Sequence, residues 1–77
     1  MAYWINKHGN NTRPAWCQFY CDNDTDIANL PTSENEGVKQ EMDSTAHRKC
    51  CVGSECLSLS TTTVYVLNSA NEWKKLA

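Results

Sequence analysis

Hydrophobic and polar positions alternate in three stretches of this chain. In residues 15–21, "AWCQFYC", Ala15, Cys17, Phe19 and Cys21 fall on one face of a strand, and Trp16, Gln18 and Tyr20 on the other. Residues 55–60, "ECLSLS", alternate again, with Leu57 and Leu59 pointing one way and Cys56, Ser58 and Ser60 the other. Residues 62–67, "TTVYVL", are β-branched and aromatic, which suits a pleated surface. "NSAN" then supplies a turn, and Glu72–Leu76 a return strand. Residues 55–76 therefore predict a three-stranded antiparallel meander. Its register is open at the last hairpin. A four-residue loop sets Val66 opposite Trp73, whereas a slip of one residue sets Leu67 there and reverses the buried face.

The other stretches are less regular. Residues 1–14 hold Tyr3, Trp4 and Ile5, then a Gly9-Asn10-Asn11 break, and Pro14 biases Arg13 toward extended backbone. Together they predict an extended arm with an aromatic anchor. Residues 22–37 are rich in Asp, Asn, Thr and Ser, which bond to their own backbone and compete with regular structure. One helical turn at Asp24–Asn29 is the only helix expected, with Ile27 and Leu30 pinning the loop. Val38, Gln40 and Met42 alternate with Lys39 and Glu41, the pattern of a half-exposed strand, and residues 43–50 suit a turn followed by a second short strand. The expected fold is mainly β: a small antiparallel sheet or meander, sandwich or barrel-like, spanning residues 15–77 as one domain behind the arm 1–14. Its expected core is Phe19, Leu57, Leu59, Val64, Tyr65, Val66 and Trp73.

Size sharpens the question of what holds such a domain together. A chain of 77 residues buries only about 60% of its unfolded surface and is marginal alone. Small scaffolds commonly add a disulfide, a metal or a partner chain. The chain has five cysteines, Cys17, Cys21, Cys50, Cys51 and Cys56, too odd a number for complete internal pairing. A disulfide from Cys17 or Cys21 to Cys50, Cys51 or Cys56 would close a loop of roughly thirty residues, worth on the order of 3–4 kcal/mol. A zinc site would draw on Cys17, Cys21, Cys50, Cys56 and His47. The spacing opposes it, because four residues along a strand separate Cα atoms by roughly 13 Å. The expectation is no metal and no cofactor, with the cysteines acting as small buried apolar groups.

Charge and chemistry narrow the function. The net charge is −2, and residues 22–46 carry seven acids (Asp22, Asp24, Asp26, Glu34, Glu36, Glu41, Asp43) against one base, Lys39. Phosphates would be repelled there, so direct nucleic-acid binding is not expected. No stretch approaches the ~18 apolar residues of a membrane span, and the start "MAYWINKHGNN" has no long apolar run of a secretory signal. The expected setting is therefore a reducing cytoplasm. There is no glycine-rich phosphate loop. His8 lies in the arm, and His47 stands three residues from Cys50, an odd offset that puts the two on opposite faces of a strand. No catalytic residue is expected. Most aromatic side chains belong to the core, but Tyr3, Trp4, Ile5 and Trp16 are expected at an interface, where tryptophan is a common anchor.

Residues 22–77 resemble small structural proteins of tailed bacteriophages and prophages, of head-fibre, spike or decoration type. The likeness falls on Leu30-Pro31-Thr32, Gly37, Gly53-Ser54, Val64-Tyr65-Val66, Asn68, Glu72-Trp73 and Leu76. It implies a non-enzymatic virion protein, assembled in the bacterial host cytoplasm. Its implied partners are further copies of itself and a major capsid protein or another virion component. Two alternatives stand beside it: a zinc- or disulfide-stabilised binding module, and a phage accessory factor acting on a host protein.

Overall fold

A computed structural model describes residues 2–8 and 16–76; of Lys7 and His8 only the backbone is described. The expectations for Gly9-Asn10-Asn11, Arg13-Pro14 and Ala15 lie outside these residues. The chain forms one five-stranded sheet in the order β1 (Tyr3–His8), β2 (Cys17–Cys21), β3 (Glu55–Ser58), β4 (Thr63–Leu67), β5 (Trp73–Lys75). All neighbours are antiparallel except β2 and β3, which are parallel. A parallel pair needs a long connection, and residues 22–54 provide it. That crossover contains the one expected helical turn, a 3-10 helix at Asp24–Asn29. The Asp26 carboxylate accepts the Asn23 N–H at 3.0 Å and caps its start.

The fold is a mainly β sheet, and β3–β5 are the expected meander. Residues 3–8, expected as an arm outside the domain, are instead the sheet's first strand. β1 pairs along β2 with an irregularity between Ile5 and Lys7. Residues 38–42 form no strand: Val38 is 55% and Met42 66% exposed, so nothing buries the face that their alternation would offer. Near residue 50 there is only an isolated bridge, at Cys50.

The sheet packs one face under the crossover. That face carries Tyr3 from β1, Cys17, Phe19 and Cys21 from β2, Cys56 from β3, Leu67 from β4 and Trp73 from β5; Leu30, Ala46 and Cys50 come from the crossover. An aromatic line crosses it. Tyr3 meets Phe19 edge-on at 5.9 Å and 76°, and Phe19 meets Trp73 at 5.9 Å and 79°. The polar tips at both ends of the line bind crossover carbonyls. Tyr3 Oη donates to Val38 O at 2.7 Å, and Trp73 Nε1 to Pro31 O at 3.0 Å. The two rings thus fasten the crossover backbone to the sheet at two points. Gly37 sits between them, where an added Cβ would run into Asn29 O and stand 2.7 Å from both Pro31 N and Tyr3 Oη.

The expected core needs correction on one point. Leu59 is 48% exposed, and Leu57, Val64 and Val66 lie half-buried on the opposite face of the sheet. The parallel partner sets the parity. β2 buries Cys17, Phe19 and Cys21, and the register aligns Phe19 with Cys56 and Cys21 with Ser58. Cys56 and Ser58 therefore turn inward, and the leucines turn out. At the last hairpin Leu67 stands opposite Trp73, the second of the two registers open to the sequence. Tyr65 shares the inner face with Cys56, opposite it in the register, and is half-buried.

Candidate functional site

The inner face and the outer face have different chemistry. On the inner side the cysteines are core filler. Cys17, Cys21, Cys50 and Cys56 are all buried, and Cys51 half-buried. Cys21 neighbours Cys56, and Cys17 neighbours Cys50. Burial pushes the Cys50 thiol up to about 12 and raises Cys21 and Cys56 as well. Such thiols stay protonated near neutral pH, and the thiolate is the form that attacks or ligates. Cys21 Sγ donates to Asn23 O at 3.3 Å and Cys50 Sγ to Pro31 O at 3.6 Å, so both serve the crossover backbone. His47 Nδ1 is buried without a hydrogen-bond partner among the described residues. Among those residues, no three His, Cys, Asp or Glu side chains converge to hold a metal ion. Of the five residues considered for zinc, Cys17, Cys21, Cys50 and Cys56 lie in the core and His47 is half-buried outside that cluster.

One polar cluster lies at the rim. The Asp24 carboxylate accepts hydroxyls from Ser58 and from Thr61, the latter at 2.8 Å, and these hold its carboxyl below the ordinary range. It ties the 3-10 helix to the end of β3 and the turn that follows it.

The outer face is built by the register. Partners opposite each other on neighbouring strands share a face, and the pairs Trp4–Tyr20, Tyr20–Leu57 and Leu57–Val64 run in sequence across β1, β2, β3 and β4. Beyond β5, Leu76 N donates to Val64 O at 2.8 Å and so continues the ladder one step. One apolar row, Trp4–Tyr20–Leu57–Val64–Leu76, therefore spans the whole sheet. Beside it runs a second row, Gln18–Glu55–Val66–Lys74, which Asn6 extends by donating from Nδ2 to Gln18 Oε1 at 3.0 Å. No residue of either row is fully buried; Leu76 is 65% exposed. Trp4 and Tyr20 meet edge-on at 6.1 Å and 79°. Leu76 is exposed and the other four side chains of the apolar row are half-buried, so the row forms a continuous apolar stripe that reaches solvent outside the core; contiguous apolar surface marks an interaction site more often than scattered apolar residues do.

The four residues expected at an interface separate here. Tyr3 is wholly buried, and Ile5 packs against the core. Strand alternation dictates this, because neighbours in β1 must face opposite ways. Trp4 alone of the three lies on the outer face. Trp16, just before β2, is 36% exposed and donates from Nε1 to Gly53 O at 3.1 Å. Tyr20, Leu57, Val64 and Leu76 join Trp4 in a row that sequence reasoning did not assemble, though the outward parity of Tyr20 was readable from "CQFYC".

The sheet edges offer less. On β1, the outward Ile5 N–H is already taken by Asp43 Oδ2 at 2.9 Å. β5 is three residues long and carries Lys74 and Lys75. Short, irregular and lysine-bearing edges resist pairing with another strand. On the crossover, Asp22, Asp24, Glu34, Glu36 and Glu41 are exposed, giving it an acidic, solvated surface. The apolar outer face is thus the surface best suited to contact. Compared with protein-family models, curated proteins and solved structures, the chain matches none of them.

Proposed function

We propose that this chain is a non-enzymatic structural protein of a bacteriophage virion, which docks on a capsid or neighbouring virion component through the outer face of its sheet. The observation that carries the docking role is the apolar row Trp4–Tyr20–Leu57–Val64–Leu76, one side chain from each strand line, left outside the core. The virion setting rests on the likeness of residues 22–77 to small phage structural proteins. Two further features support the reading. The buried thiols are held protonated, which suits packing and not nucleophilic chemistry. A domain of this size also gains stability from any partner that binds its native state.

Trp4 is the anchor of the proposed contact. It is large, lies at the end of the row and contributes little to the core, so its loss should weaken docking without unfolding the chain. Co-sedimentation with purified particles of the source phage tests this. The parent chain should pellet with particles at a fixed copy number, and Trp4→Ala should pellet at least about tenfold less. A folded parent chain that never sediments with particles would remove the virion role.

A further inference from the structure

The second row on the outer face is not neutral, and its order carries information. Reading from β2 to β5 it runs Gln18, Glu55, Val66, Lys74, with one acid and one base placed symmetrically about β4. We infer that a second copy of this chain packs on this face, outer sheet against outer sheet, about a two-fold axis parallel to the strands and over β4. The inference rests on the reading of the outer face as a contact surface, and adds which partner occupies its β3–β5 half.

The geometry follows from symmetry. A two-fold axis along the strands keeps each row over the same row and reverses strand order. With the axis over β4, Glu55 of each copy meets Lys74 of the other, and Val66 meets Val66. In the apolar row Val64 meets Val64, and Leu57 meets Leu76. Apolar groups cover apolar groups, and both charges find an opposite. Moving the axis one strand either way opposes like charges, Glu55 on Glu55 over β3 or Lys74 on Lys74 over β5, which is strongly disfavoured where water is excluded. Aligned sheets pack at about −30° to one another, so the pairs nearest the axis are held best. Within one chain Lys74 lies 3.4 Å from Glu72, but both side chains are well exposed and such a surface pair is weak. It leaves Lys74 able to exchange partners.

The same offset places Trp4 and Tyr20 beyond the β5 edge of the partner copy. They stay uncovered for a different component, so dimer formation and particle docking use separate halves of one face. The interface then covers three strands from each copy, the small end of specific contacts, so the dimer is sought across the micromolar range.

Sedimentation of the purified chain from low to high micromolar concentration tests the proposal, with charge reversals at the two row positions. The parent should pass from the 8.7 kDa monomer to twice that mass as concentration rises. Glu55→Lys or Lys74→Glu alone should weaken the dimer by at least about tenfold, and the double variant should recover most of the loss. Far-UV circular dichroism of each variant checks that the fold is kept. Trp4→Ala should leave the dimer unchanged. A parent that remains monomeric at high micromolar concentration overturns the inference, and so does a dimer indifferent to both reversals. Either result leaves the docking role intact as long as Trp4→Ala still reduces particle binding, so the two readings fail separately.

Discussion

Replacing Trp73 by alanine should cost this domain most of its stability, whereas replacing Trp4 should cost little. Trp73 closes the inner aromatic line. Its ring contacts Phe19 edge-on at 5.9 Å, a pairing worth about 0.5–1.5 kcal/mol beyond its buried area. Its Nε1–H bond to Pro31 O at 3.0 Å adds about 0.5–1.5 kcal/mol and holds the crossover down. Adding the apolar area it covers against Leu67 brings Trp73→Ala to about 3–5 kcal/mol, the usual range for removing a core tryptophan. At roughly 0.05–0.15 kcal/mol per residue, a chain of 77 residues holds only about 4–12 kcal/mol in total. Trp4 makes one edge-on contact with Tyr20, on the uncovered face, and should cost about 1 kcal/mol. Urea unfolding followed by far-UV circular dichroism avoids the changed fluorescence of the variants. With a slope near 1 kcal/mol/M, the midpoint should fall by about 3–5 M for Trp73→Ala and about 1 M for Trp4→Ala. All samples need one low concentration, because dimerisation would raise apparent stability. Equal shifts for the two variants would refute the assignment of one tryptophan to the core and the other to the surface.

Gly37→Ala should destabilise by about 3 kcal/mol or more, because the new Cβ meets two backbone atoms that cannot yield independently and the Tyr3 hydroxyl that binds Val38 O; a loss under about 1 kcal/mol in urea unfolding would show that the crossover shifts freely. Alkaline pH should weaken the fold. Burial raises the Cys50 thiol from an ordinary 9.0 to about 12 and also raises Cys56 and Tyr3, so the native state retains protons that the unfolded chain releases. Their contribution is complete below about pH 9 and declines as pH rises toward 12. Cys50→Ala, though less stable at neutral pH, should show a shallower decline of the urea midpoint between pH 9 and 11, and an unchanged slope would remove Cys50 from the explanation.

Strands β2 to β5 were legible because each depends on local pattern, whereas β1 was expected as an arm and the strands expected at 38–42 and near residue 50 do not form. The alternation in "CQFYC" and "ECLSLS", the β-branched "TTVYVL" and the "NSAN" turn each report on a few neighbouring residues. The 3-10 helix at Asp24–Asn29 was legible for the same reason. What was not legible is which side of β3 faces in. Leu57 and Leu59 offer a more hydrophobic face than Cys56 and Ser58, and a strand weighed alone would bury the leucines. The choice is made by β2, which presents Phe19 and Cys21 inward and is joined to β3 in parallel through thirty-three residues of crossover, 22–54. Cysteine is among the most frequently buried residue types, and Ser58 is acceptable inside because its hydroxyl is spent on Asp24. The buried set is therefore consistent once the pairing is known, and only then.

The same dependence explains why the outer face escaped the sequence. Trp4, Tyr20, Leu57, Val64 and Leu76 are separated by 16, 37, 7 and 12 positions, and no window contains more than two of them in a pattern that looks amphipathic. They become a row only through four successive registers, and a slip of one residue in any of them would scatter it. The arm was expected to carry Tyr3, Trp4 and Ile5 to a partner together, because an arm has no inside. As a strand it has one, and alternation forces Tyr3 and Ile5 toward the core while Trp4 turns away. That single change converts a flexible tether into a rigid platform. An anchor on a paired strand loses less conformational freedom on binding than the same residue on a free arm. Trp4 docking on a partner should therefore leave the β1–β2 amide hydrogen bonds as protected from exchange before binding as after it, whereas an arm that orders on contact would gain protection only in the complex.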